Sequence, residues 1–106
     1  MTIEEIRKEY SDRAFFSQHA LERMQERNIS EEEVDFVVAN GIPVETMIFS
    51  STSIKYVICG QTETERYIHV VLHFRGSVVV VTVYDPSLDI KWDPNTGYTT
   101  RLRQEG

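Results

Sequence analysis

The stretch RYIHVVLHFRGSVVVVTVY, residues 66–84, decides the fold. From Arg66 to Phe74 side chains alternate, with Ile68, Val70, Leu72 and Phe74 on one side and Tyr67, His69, Val71 and His73 on the other. Arg75-Gly76-Ser77 is a tight turn, and Val78 to Asp85 reads as the next strand. Strict alternation puts Val79, Val81 and Val83 on one face of that strand and Val78, Val80, Thr82 and Tyr84 on the opposite one. Strands joined by so short a turn pair antiparallel, which brings His69 within reach of Thr82 or its neighbours.

Upstream, Val44 to Ser51 and Ile54 to Cys59 read as two further strands, giving an antiparallel meander of four. Before Val44 the period is helical. Residues 3–9 carry Ile3 and Ile6 three apart, followed by Tyr10; residues 17–27 form a second helix. Ser30-Glu31-Glu32-Glu33 is a capping box that opens a third helix through about Ala39, with Val34, Val37 and Val38 inward and Gly41 as its stop. Helices first and strands second predict an α+β fold, with two or three N-terminal helices on one face of a four-stranded antiparallel sheet. The 106 residues make one domain, residues 1–106, with its core at about 16–86. The tail after Asp85-Pro86, with Trp92, Pro94 and Gly97, is irregular and either covers part of the sheet or frays.

With 41% hydrophobic and 26% charged residues, the composition is that of an ordinary globular protein. No apolar run is long enough to span a bilayer, and Met1 to Glu5 lack the pattern of a signal peptide. Cys59 is the single cysteine, so a reducing cytoplasm is the expected compartment and a small core residue its expected role. The net charge of −6 argues against long-range attraction to nucleic acid. The acid is concentrated: residues 1–40 hold five Lys/Arg against ten Asp/Glu, a net of −5, and residues 41–106 hold six against seven, a net of −1.

Chemistry-bearing residues gather in few places. On the second helix His19, Arg23 and Arg27 fall at about 0°, 40° and 80°, beside the apolar arc of Ala20, Met24 and Leu21. At such a rim a histidine can move a proton near neutral pH and an arginine can clamp a phosphate. The same residues also suit a local hydrogen bond for His19 and a pairing of Arg23 with Glu22, Glu26 or a strand carboxylate. On the strands, His69 is read either as a proton-transfer group or as a half-buried histidine satisfied by one hydrogen bond. Tyr84 and Thr82 share a face at a strand end. His69 and His73 are four strand residues apart, roughly 13 Å, too far to share a metal ion. No P-loop, dinucleotide-binding glycine pattern, nucleophile elbow or zinc-spaced set occurs. A set of His, Arg, Tyr and Thr without metal or cofactor suits RNA cleavage by the adjacent 2′-hydroxyl, in which a base, an arginine and an acid share the work.

The segments Phe16-Ser17-x-His19-Ala20-x-x-Arg23-Met24-x-x-Arg27-x-Ile29-Ser30-x-x-x-Val34, Gly41, Arg66-x-x-His69-Val70-Val71 and Val81-Thr82-Val83-Tyr84-x-Pro86 resemble a family of small bacterial proteins. That family is catalogued as a domain of unknown function and grouped by fold with the RelE-like toxins, in the barnase–EndoU–colicin–RelE class. The resemblance implies two helices on an antiparallel sheet, a toxin role with an antitoxin protein as partner, and RNA as substrate. Its polar positions fall on His19, Arg23, Arg27, His69, Thr82 and Tyr84. Read as a ribonuclease, the chain would use His19, Arg23, His69 and Tyr84 in catalysis, the two histidines sharing acid and base roles, and Arg27 and Thr82 in substrate binding. Two classes of function follow: a toxin-type, metal-independent endoribonuclease, or a non-catalytic interaction module using an exposed sheet face of Tyr67, Val71, Val78 and Val80. The first requires the polar residues to converge on one cleft, and the second requires them buried and mutually satisfied.

Overall fold

The computed structural model describes residues 2–102. Three helices, α1 (Ile3–Asp12), α2 (Gln18–Arg27) and α3 (Glu31–Asn40), accompany five strands, β1 (Ala14–Phe16), β2 (Ile42–Ser50), β3 (Ser53–Gln61), β4 (Tyr67–Phe74) and β5 (Val78–Tyr84). Each helix starts where a hydroxyl can accept from its first turn: Thr2, Ser17 and Ser30 are the N-caps, and Thr2 and Ser30 form complete capping boxes. No helix among the described residues is long and apolar enough to cross a membrane.

The sheet has five strands in the order β1-β5-β4-β3-β2 and is mixed, which corrects the expected four-stranded antiparallel sheet. The four expected strands are present, and each pairs antiparallel with the next of the four. The fifth is β1, whose Ala14, Phe15 and Phe16 run parallel to Val78, Val79 and Val80. Three residues are too few to display a period, so only the pairing defines this strand.

The helices cover one face. Ile6, Ala20, Met24, Val34, Val37 and Val38 pack on Ile54, Ile58, Ile68, Val70, Leu72 and Val80 in one core. Arg7 fastens α1 to the end of α3, its Nε donating to the Val38 carbonyl at 2.8 Å and its Nη2 to the Gly41 carbonyl. Ile68, Val70 and Leu72 point inward as the alternation requires.

Along β5 the alternation fails at one residue. Leu72 pairs with Val80 and Val71 with Thr82, so Val81 is a bulge without a partner on β4. The extra residue shifts the phase: Val78, Val80 and Val83 are all buried in the core, while Thr82 and Tyr84 turn to the outer face. Val78 and Val80 therefore lie beneath the helices, and the exposed docking face expected from Tyr67, Val71, Val78 and Val80 does not exist. A run of four valines carries no alternation that could reveal the slip.

The outer face is covered at one end by the tail. Residues 85–102 form two 3-10 turns, Pro86–Leu88 and Pro94–Thr96, each started by an aspartate that accepts from the backbone two residues on. Trp92 is only 2% exposed. Tyr98 lies edge-on to Tyr67 at 5.2 Å, and the Cys59 thiol donates to the Gly97 carbonyl at 3.5 Å. Of the two alternatives for the tail, covering the sheet is the one observed.

Candidate functional site

The register sets His69 directly opposite Tyr84, not Thr82, which faces Val71. His69 is fully buried, and both ring nitrogens are engaged. Nε2 lies 2.9 Å from the Tyr98 carbonyl, which can only accept, so Nε2 carries the proton. Nδ1 then accepts from the Tyr84 hydroxyl at 3.0 Å. The Trp92 ring stands edge-on to the imidazole, centroids 4.4 Å apart. Tyr98 holds its carbonyl in place from a left-handed backbone, φ 63°, a conformation costly for an aromatic residue.

Burial holds the His69 imidazole below its ordinary pKa, against the pull of the Tyr98 carbonyl and of the Glu45 and Asp89 carboxylates. Burial also pushes the Tyr84 phenol up to about 12, opposed by the Trp92 indole N–H. The pair is thus a neutral imidazole accepting from a protonated phenol. Glu45 is held below the carboxylate range by Arg101, whose guanidinium grips it through Nε and, at 3.1 Å, Nη2, and lies 4.8 Å over the Trp92 ring.

A His with a depressed folded pKa contributes stability that is complete above its unfolded value and lost as pH falls through that value. The expected outcome is that the His69 ring stays neutral at and below about pH 6.5, followed by NMR of its ring protons. Stability should fall as pH drops below about 6.5, where the unfolded chain takes up a proton that the folded imidazole still refuses. A ring that titrates at or above the ordinary value would contradict this environment.

The other candidates lie on α2. Ser17 ties the start of this helix to β5, its N–H donating to the Val80 carbonyl at 3.0 Å and its hydroxyl to the Val81 carbonyl at 2.7 Å. Ten helical residues rise about 15 Å, close to the span from Val80 to Tyr84 in a strand. The helix therefore runs beside β5 and ends near Tyr84. Arg66 secures that end by donating to the carbonyls of Arg27 and Asn28, while its guanidinium is 3.9 Å from the Asp85 carboxylate.

Because β1 pairs only with Val78–Val80, β5 beyond Val80 is the edge of the sheet. A cleft of about 360 Å³ opens there, lined by Arg27, Tyr84, Asp85, Leu88, Asp89 and Ile90. Of the six residues singled out in the sequence, the structure brings Arg27 and Tyr84 to this cleft, with His69 behind Tyr84. Thr82 is half-buried on the same sheet face as Tyr84. His19 and Arg23 do not reach it. His19 is exposed in the first turn of α2, about 12 Å along the helix from Arg27. Arg23 pairs with Glu26 at 2.6 Å. The six neither converge on one cleft nor form one buried network.

Glu45, Trp92, Tyr98 and Arg101 were not among the site residues expected from the sequence. Glu45 and Arg101 are 56 residues apart and share no motif. Trp92, the chain's one tryptophan amid Asp and Pro turns, did carry a signal, since a lone indole in a polar segment usually finds something to cover.

A protein-family model described as a domain of unknown function (DUF4258) matches residues 16–85, from the last residue of β1 to just past β5. The chain belongs to this family. The DUF4258 segment contains α2, α3, β2 to β5 and all six polar positions, while α1 and the tail from Pro86 onward lie outside the match. No curated protein and no solved structure matches the chain.

Proposed function

We propose that this DUF4258 protein is a RelE-like, toxin-type endoribonuclease that works without a metal and is restrained by an antitoxin protein. The observation that carries the reading is Tyr84, whose hydroxyl is hydrogen-bonded to a buried neutral His69 and which lines a cleft together with Arg27. Tyr84 is half-exposed and His69 is not, so the substrate meets the phenol first. The Tyr84 oxygen takes the proton of a ribose 2′-hydroxyl while passing its own to His69 Nδ1. The resulting imidazolium keeps its bond to the Tyr98 carbonyl and gains from Glu45 and Asp89. The freed 2′-oxygen attacks the adjacent phosphorus, Arg27 stabilises the charge that builds on the phosphate, and the departing 5′-oxygen takes a proton from solvent. Thr82, two residues back on the same face, orients the ribose. Arg23 and His19, each about 6 Å further along α2, continue as a track for upstream phosphates. The acidity of the chain leaves this track as its basic line of contact with RNA.

Induced expression in a bacterial host tests the reading. Growth should stop with the wild type and continue with Tyr84→Phe, which keeps the ring and loses the proton path, or with Arg27→Ala. In vitro the phenylalanine variant should lose about a hundredfold in cleavage rate. Normal growth with the wild type, or equal arrest by Tyr84→Phe, would rule the reading out.

A second reading rests on the burial of His69, whose nitrogens are both satisfied inside the protein. In a non-catalytic interaction module that pair serves only to lock the tail to the sheet. Tyr84→Phe would then lower stability and change nothing else.

A further inference from the structure

Strand β2 is the other edge of the sheet, and among the described residues α3 packs chiefly over β3 and β4. Four large apolar side chains stand exposed along it, Ile42 at 53%, Met47 at 38%, Ile48 at 72% and Phe49 at 62%. Ile48 is paired with Ile54 and so belongs to the helix-side face, whereas Phe49 meets the His73 ring on the outer face. Both faces of the edge are therefore apolar at the same point. Edge strands are usually guarded by lysine, proline or a bulge. Here Pro43 and two bulges bracket the strand but leave Glu45 to Ile48 in regular register with β3. From Thr46 to Ile54 there is no charged residue, in a chain of which 26% is charged.

We infer that β2 is the contact through which a second copy of this chain binds, the two strands pairing antiparallel across a two-fold axis into one ten-stranded sheet. Charge selects this occupant. The acid of the protein sits on its helices, residues 1–40 with a net of −5, and the one charged residue of β2, Glu45, is already held by Arg101. Two copies meeting at β2 thus face little like-charge repulsion, whereas a basic partner would be drawn to the helical layer instead. The symmetry makes the contact reciprocal, so the apolar stretch of one copy covers that of the other. The cleft at Tyr84 lies at the far edge of the sheet and stays open in both copies.

Sedimentation of the full chain across the micromolar range tests this. The wild type should sediment at twice the mass of one chain. The double variant Ile48→Lys, Phe49→Lys should be a monomer with an unchanged circular-dichroism spectrum, because both side chains are largely in solvent. Leu21→Lys, which changes a 47% exposed apolar residue on α2, should remain a dimer. A wild-type monomer throughout, an open-ended assembly, or a double variant that still dimerises would overturn the inference, and the first would leave this edge to a different chain.

Discussion

Replacing Trp92 by alanine should destabilise the protein by about 3–5 kcal/mol, the range for deleting a buried indole, and lower the melting temperature by roughly 12 °C or more. The indole is 2% exposed, edge-on to His69 and covered by the Arg101 guanidinium. It is the main apolar anchor of the tail, since Leu88, Ile90 and Leu102 are exposed. Removing it opens a cavity over a buried imidazole and loosens the Tyr98 carbonyl that holds Nε2. The loss should therefore exceed that of Leu88→Ala, which removes a 62% exposed side chain from the same segment. Thermal melts of the two variants measure the difference. Similar melting temperatures for Trp92→Ala and the wild type would mean that the tail is not fastened in this way.

Gly41→Ala should cost about 3 kcal/mol or more, at the top of the range for overfilled sites. A methyl group there would lie 2.5 Å from the Cys59 carbonyl oxygen, 2.6 Å from the Val37 carbonyl oxygen and 2.8 Å from the Ile58 side chain. Two of these are backbone atoms that cannot step aside without moving β3 or the end of α3. The backbone of Gly41, φ −77° and ψ 179°, is ordinary for alanine, so lack of space is the whole cause. Gly76→Ala gives the contrast: its surroundings are empty, but its φ of +76° is unfavourable for alanine, and the cost should be near 1 kcal/mol. Urea midpoints of both variants test this, and a Gly41→Ala protein no less stable than Gly76→Ala would refute it.

Most of the fold was legible where side-chain periodicity is strong. The alternation of β4 located its inner face, and Ser30 with Glu33 marked the start of α3, because both signals are local. Three features were not legible. Strand β1 is three residues long and defined only by its partner. The bulge at Val81 lies within identical valines, so shifting the register there left the pattern unchanged. The pairing of Glu45 with Arg101 depends on how the tail folds back. The candidate site divides the same way. The α2 stripe and the His69 strand each followed from spacing, but their mutual placement did not. Only the end of α2 reaches Tyr84, and the burial of His69 is set by Trp92 and Tyr98, which lie outside the repeating elements.

The most direct measurement incubates the purified chain with single-stranded RNA in the presence of a metal chelator and determines the ends of any fragments. Attack by the neighbouring 2′-hydroxyl predicts fragments ending in a 2′,3′-cyclic phosphate, no cutting of the 2′-deoxy analogue, and about a hundredfold slower cleavage by Tyr84→Phe with its fold intact. RNA that stays whole, fragments with other ends, or equal cleavage by wild type and Tyr84→Phe would contradict the assignment of RNA cleavage to the Tyr84–His69 pair.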